Sequence, residues 1–304
     1  MTRGLAGHSH SAAGRHTGNL ARAMLVTVGI LTVELIAGIA SSSLALLADA
    51  GHAFADVSGM GLSLAAVWLA ARPRSESRTF GLYRLEILAA AANAVLLLAI
   101  AAFVLYEALQ RFVAPPQIGS GIVVVAAAFA LAGNLVSLRL LSTGRRESLT
   151  IRGAYLEVAG DLVGSASVLA AGAVIAFTGW LQADAVASVV VALLIVPRTF
   201  RLLRESLDVL LEATPRGVDL ADVERHILES PGVTDVHDLH AWTITSGMNV
   251  VSAHVVLAED GRPGDVLDHL GQCLSDDFDI KHSTFQLETP EHVLWEAKTA
   301  QPQH

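Results

Sequence analysis

The chain has one cysteine, Cys273, among 304 residues. That excludes an intramolecular disulfide framework, a cysteine-based zinc finger and an iron–sulfur cluster. Charge is scarce as well: 16% of residues are Asp, Glu, Lys or Arg, where a soluble globular chain averages roughly a quarter. No Gly-rich phosphate loop of the Walker type occurs, so ATP-driven work has no support. No basic stripe marks a surface for nucleic acid. What the chain has in excess is apolar side chains, 53% of the total, with a mean hydropathy of +0.52. A disordered polypeptide and a lone water-soluble domain are both excluded.

The few charges are unevenly placed. Residues 1–204 hold 10 of the 29 acids and 15 of the 20 basic residues, a net +5, whereas residues 205–304 hold 19 and 5, a net −14. Two differently solvated parts therefore share the chain. The expected organisation is a histidine-containing tail at 1–19, a membrane domain at 20–204, an acidic cytoplasmic domain at 205–290 and a tail at 291–304.

Six runs in the first part approach or exceed the roughly 20 apolar helical residues that span a bilayer: 20–41, 44–71, 85–112, 118–142, 153–178 and 182–200. Ile39-Ala40-Ser41 loosely resembles a signal-peptide cleavage site. Five further spans follow at once and Glu34 interrupts the first run, so that run reads as a permanent helix. The turns after the first, third and fifth runs contain no basic residue. The other connections hold Arg72, Arg74, Arg78, Arg84, Arg139, Arg145, Arg146 and Arg152, with Arg3, Arg15 and Arg22 before the first run and Arg198, Arg201 and Arg204 after the last. The positive-inside rule then puts both termini and the long loops in the cytoplasm.

Beyond residue 205 the periodicity changes. Val218 to Glu229 is amphipathic at helical spacing, with Asp219 as N-cap and Pro231-Gly232 as a stop. Thr234 to Ile244 and Asn249 to Leu257 alternate like strands around a Thr245-Ser246-Gly247 turn. Asp265 to Leu274 reads as a second helix and Ile280 to Leu287 as a third strand. The fold class expected is thus an α-helical membrane protein with six transmembrane helices and a C-terminal cytoplasmic α+β domain. The αββαβ order suits a ferredoxin-like arrangement, helices on one face of a three-stranded sheet.

Charged groups at membrane depth cost at least ~2.5 kcal/mol each and are functional candidates by default. The second run carries Asp49, His52 and Asp56, whose spacing puts all three on one helical face; the fifth carries Glu157 and Asp161, four apart. Two helices that each offer an i, i+4 pair can supply a four-ligand nitrogen and oxygen site for a divalent ion such as Zn²⁺. The competing reading is helix capping or pairing with arginines, but the arginines cluster at the cytoplasmic ends. Glu34 and Glu107 read as partners of neighbouring helices or water, and Asn93, Asn134, Ser165 and Ser167 as interhelical hydrogen-bonders. Asp184 opens the sixth run, where an acid favours the helix dipole.

Four stretches carry a resemblance to a known family. Ser43-Leu-Ala-Leu-Leu-Ala-Asp49-Ala-Gly-His52-Ala-Phe-Ala-Asp56 resembles the second-helix signature of the cation diffusion facilitators. Phe80-Gly-Leu-Tyr-Arg84-Leu-Glu86-Ile-Leu-Ala-Ala resembles their third-helix start, and Arg152-Gly-Ala-Tyr-Leu-Glu157-Val-Ala-Gly-Asp161 to Ser165 their fifth helix. Val236-His237-Asp238-Leu-His240-Ala-Trp242 with Thr245-Ser246-Gly247 resembles their cytoplasmic domain. The likeness runs from about residue 20 to residue 290 and is nearest to the cobalt–zinc–cadmium exporter branch.

The resemblance implies a homodimeric antiporter in a bacterial plasma (inner) membrane, expelling Zn²⁺, or Cd²⁺ and Co²⁺, against protons. It implies a transport site at His52, Asp56, Glu157 and Asp161, with Asp49 one turn away as an outer ligand or proton relay. Glu157 departs from the commonest His-Asp pattern and makes the site harder and more anionic, which widens selectivity. A manganese- or iron-preferring exporter and a non-transporting metal sensor are the alternatives. No enzymatic activity is expected: His-Glu-x-x-His is missing and the site has no spare general base. In the cytoplasmic part the resemblance points to His237, His254, His269 and the segment from His282 to Glu288, either as metal ligands or as exposed polar residues on half-buried strands. His8, His10 and His16 are a loose metal collector or a bystander composition, and His226, His240, His292 and His304 have weaker claims. No resident prosthetic group and no nucleic-acid partner are expected; the partners are metal ions, protons, lipid and a second copy of the chain.

Overall fold

A lipid environment offers the backbone no water to bond, so the long apolar runs must bond internally as helices. The computed structural model describes residues 12–70, 76–142 and 149–299. His8, His10, His304, Arg3, Arg72, Arg74, Arg145 and Arg146, and the side chains of Arg15 and His16, lie outside that description. The long helices are α1 (Ala12–Ser41), α2 (Leu44–Ala70), α3 (Leu85–Val113), α4 (Ser120–Ser142), α5 (Leu149–Thr178) and α6 (Gln182–Leu210). Among the described residues, α1 and α3 to α6 contain stretches long and apolar enough to cross a membrane. Helix α2 is the one that carries Asp49, His52 and Asp56. Helix α6 outruns its apolar run because Arg201, Arg204, Glu205 and Asp208 continue the same helix after hydrophobicity ends.

The turns follow from local chemistry. Ser42 adopts φ 58° between α1 and α2, a left-handed position that closes a two-residue link. Pro115 and Pro116 stop α3 because proline has no N–H to continue the ladder. Gly179 takes φ 73° after α5, and its N–H bonds the Ile175 carbonyl at 2.9 Å.

The chain separates into two compact units, the first being Met1–Leu62 with Ala92–Leu203. Its core is built from small side chains, including Ala45, Ala48, Ala55, Ala101, Ala108, Ala126, Ala127 and Ala171, around Leu46, Val123 and Val168. Small residues let helices approach closely where lipid supplies no hydrophobic drive between them. Gly172 shows how tight this is: a Cβ there would lie 2.9 Å from Val123 Cγ1 and 3.1 Å from Val124 Cγ2. Larger apolar side chains such as Phe103, Tyr106, Leu109, Val125 and Leu193 turn outward, as lipid-facing residues must.

Asp184 does more than complement its own helix. The Ser43 hydroxyl donates to Asp184 Oδ1 at 2.5 Å, the Leu44 N–H to Oδ2 at 2.7 Å and the Ala45 N–H to Oδ1 at 3.4 Å. The first-turn acid of α6 therefore shares the capping of α2 with Ser43, whose Oγ accepts from the Leu46 N–H at 3.2 Å. Arg111 Nη1 stands 3.8 Å from the same carboxylate and donates to the Ser42 carbonyl at 2.6 Å, while its Nε pairs with Glu107 at 3.1 Å. Glu107 thus finds its partner within α3, one turn on, and not on a neighbouring helix.

The second unit is Ser63–Ala91 with Arg204–His304. It contains α7 (Leu220–Leu228), β1 (Val233–Thr245), β2 (Met248–Leu257), α8 (Pro263–Phe278), β3 (His282–Glu288) and α9 (Pro290–Thr299). The sheet order is β1-β2-β3, β1 antiparallel to β2 and β2 parallel to β3. A parallel pair needs a crossover, which α8 supplies. Alternation sorts the faces: Val251, Ala253 and Val255 of β2 join Val223 and Ile227 of α7 and Val266, Leu270 and Leu274 of α8 in one core. Asp219 caps α7 by accepting from the Ala221 N–H at 2.9 Å. Helix α9 occupies the segment that the sequence reading takes as a tail; Pro290 at its first position is the signal for it. The hairpin tip is fastened within this unit, Thr245 Oγ1 donating to Glu86 Oε2 at 2.6 Å and Ser246 Oγ to Glu86 Oε1 at 3.0 Å. Arg84 adds an ion pair with Glu212 at 2.7 Å. Cys273 on α8 sits beside Asp276 and Asp277, and burial together with those acids pushes its thiol up from the ordinary range.

Candidate metal centres

Three of the expected intramembrane ligands converge. His52 Nε2 is 3.3 Å from Asp161 Oδ1 and 3.5 Å from Asp56 Oδ2. One ligand atom from each of the three residues lies within 4.8 Å of the other two. Helix periodicity explains it: His52 and Asp56 stack on successive turns of α2, and Asp161 meets them from α5. The imidazole aims Nε2 at both carboxylates, and its buried Nδ1 has no hydrogen-bond partner. An imidazole nitrogen flanked by two carboxylates is a donor set that suits zinc, cobalt or cadmium.

The fourth expected ligand is engaged elsewhere. Glu157 Oε1 lies 3.0 Å from Arg198 Nη2, a pair joining α5 to α6. Arg198 follows Pro197 within α6 and also acts electrostatically on Asp56 and Asp161. The pairing with arginines that the charge distribution argued against therefore holds for Glu157, although no sequence spacing singles out Arg198 as its partner.

Asp49 lies outside the convergent group and belongs to a buried polar chain. Asn134 Nδ2 donates to Ser165 Oγ at 3.2 Å, and Ser165 Oγ donates to Asp49 Oδ2 at 3.1 Å. Glu34 of α1, 1% exposed, is a second buried carboxyl that interacts electrostatically with Asp49. Gly164 leaves room for this group, since a Cβ there would stand 3.3 Å from Asp49 Oδ1.

The second centre lies on the sheet face opposite the helical core. His237 of β1 and His254 of β2 are cross-strand partners with ring centroids 5.0 Å apart. Glu288 of β3, 2% exposed, reaches both: Oε2 is 3.4 Å from His237 Nε2 and Oε1 is 2.8 Å from His254 Nδ1. Gln286 Nε2 donates to Glu288 Oε1 at 2.7 Å. These three residues meet the same 4.8 Å criterion as the first centre. A β-bulge follows His237, with Asp238 at φ 50°, and a bulge of this kind re-aims the side chains beside it. His282 is not in the group; it pairs with Val250 at the opposite end of β3. His269 is also apart, exposed on α8. His226 clamps α7 to α8 through Asp277 at 3.7 Å and the edge of Phe278, and His292 stacks on Trp295.

Apolar helices that bring an imidazole together with carboxylates, and an α/β domain carrying a second such group, make a helical membrane protein with two groups whose donors suit a cation. Residues 20–211 match the family described as the cation efflux transmembrane domain, and residues 215–290 the cation efflux protein, cytoplasmic domain. The chain belongs to this cation efflux family. It is 47% identical over 284 residues to the metal cation efflux system protein CzcD of Cupriavidus metallidurans, covering 93% of this chain and 90% of that one. It is 36% identical over 307 residues to a cadmium, cobalt and zinc/H(+)-K(+) antiporter of Bacillus velezensis, covering 97% and 98%. A solved structure described as the metal-bound C-terminal domain of the CzcD transporter from Cupriavidus metallidurans is 50% identical, with a TM-score of 0.23, and covers 23% of this chain and 99% of its own.

Proposed function

We propose that this protein exports divalent metal cations, zinc foremost with cadmium and cobalt, from the cytoplasm in exchange for protons. The observation that carries the reading is the convergence of His52, Asp56 and Asp161 between apolar helices. Glu157, one turn from Asp161 on α5, is the fourth ligand. The names of two relatives, a metal cation efflux protein and a cadmium, cobalt and zinc antiporter, support the same substrate class. Zinc, cadmium or cobalt passes through this centre as cargo.

Exchange follows from the ligands. A metal binds deprotonated carboxylate and neutral imidazole, so each ion that enters displaces the protons those groups hold. Competition for one set of atoms couples the two fluxes without a separate proton path. The arginine-rich connections support a topology with the termini and the second unit on the cytoplasmic side of a bacterial inner membrane. There His237, His254 and Glu288 hold a regulatory ion, and a bound cation relieves repulsion between the acidic domains of a homodimer. His269 and His282 are not ligands of that ion within one chain.

Zinc flux into proteoliposomes with an imposed proton gradient tests the exchange. Flux rises when protons are concentrated on the side that zinc is heading for and falls when the gradient is reversed; flux indifferent to the gradient would sink the reading. The regulatory centre has its own check. Glu288→Gln keeps the volume but loses the charge, and zinc held by the purified full chain falls by roughly one ion per chain. Unchanged stoichiometry would show that the two histidines bind without it.

A further inference from the structure

We infer that Arg198 sets the metal affinity of the transport site by competing with the divalent ion for Glu157. The inference rests on the export reading and adds a residue with no metal-ligating atom to the machinery. A guanidinium is a fixed cation with no acceptor and no accessible deprotonated form. At 3.0 Å from Glu157 Oε1 it occupies the carboxylate that the transported ion needs. One carboxylate cannot serve both cations at full strength, and a divalent ion close to the guanidinium also meets like-charge repulsion.

The placement favours competition over plain scaffolding. Glu157 sits one turn from Asp161, so a rotamer change can turn it between Arg198 and the three convergent ligands without moving α5. The Arg198 side chain is 58% exposed and that of Glu157 32%, so packing does not wall the pair in and the two side chains have room to part. Arg198 acts electrostatically on Asp56 and Asp161 as well, so its charge opposes metal at the whole site. The result is a site that a divalent ion enters by displacing one positive charge, and that regains the charge as the ion leaves. Transport needs this compromise, because a site that binds too tightly does not release.

The test is the zinc KM of the full chain in proteoliposomes, for the native protein, Arg198→Ala, Glu157→Gln, the double variant and Arg198→Lys. Arg198→Ala lowers the KM by about three- to tenfold and lowers the maximal rate with it, because release slows. In the Glu157→Gln background the same substitution shifts the KM by less than about twofold, its competitor having gone. Arg198→Lys keeps the charge and stays near the native KM. A KM that is unchanged or raised in Arg198→Ala overturns the inference, since scaffolding alone would misplace Glu157 and weaken binding. An equal shift in both backgrounds, or a lysine variant that behaves like alanine, overturns it too. Zinc binding to the same five chains by equilibrium dialysis carries the same signs. Native vesicles without flux would therefore defeat the export reading alone.

Discussion

His52→Ala leaves zinc flux at least about 100-fold below the native rate while the protein still assembles. Its Nε2 is the hinge of the cluster, 3.3 Å from Asp161 and 3.5 Å from Asp56. Without the imidazole, two carboxylates face each other across the gap with no nitrogen donor between them. Two carboxylates alone are a poorer donor set for zinc than an imidazole flanked by them, and the cluster stops being a metal cage. A truncation inside the bundle also leaves a cavity, and flux must therefore be read beside a thermal melt. The expected pattern is a melt shifted by a few degrees and flux lost. Flux within about threefold of native would mean that the ion does not depend on His52.

Asp184→Ala acts on stability first. The carboxylate accepts from the Ser43 hydroxyl and the Leu44 and Ala45 N–H groups and faces Arg111. Alanine strands those donors together in a buried position and takes the counter-charge from the arginine. Breaking a buried charge-assisted cluster costs about 3–5 kcal/mol, equivalent to a fall of roughly 10 °C in Tm for a unit of this size. Asp184→Asn keeps one acceptor oxygen and recovers part of that loss. Thermal unfolding of detergent-solubilised protein separates the three chains in the order native, asparagine, alanine. An alanine variant that melts with the native protein would show that water or Arg111 reorganises to cap α2 instead.

The sequence made the helices legible because an apolar run of bilayer length admits almost no other structure, and the arginine bias is visible without coordinates. The helix face shared by Asp49, His52 and Asp56 was legible too, but spacing cannot tell which of three neighbours points at a fourth residue. His52 and Asp56 meet Asp161, whereas Asp49 turns to Ser165. Strand alternation gave the faces of the α/β domain. The meeting of His237, His254 and Glu288 depends further on cross-strand register and on the bulge at Asp238. The partnership of Glu157 with Arg198 and the reach of Asp184 across to α2 were invisible for one physical reason. Each joins residues far apart in sequence whose separate local roles, ligand or orientation signal or dipole complement, already accounted for them.

That cap has a temporal side. Leu44 and its acceptor Asp184 are 140 residues apart. At synthesis rates of about 5–20 residues per second, roughly 7–30 s separate the emergence of the one from the other. During that interval Ser43 Oγ can already cap the Leu46 N–H, whereas the Leu44 and Ala45 N–H groups gain Asp184 only with the arrival of α6. The N-terminus of the helix that carries His52 is thus fastened to Asp184 only when the last of the six long helices arrives.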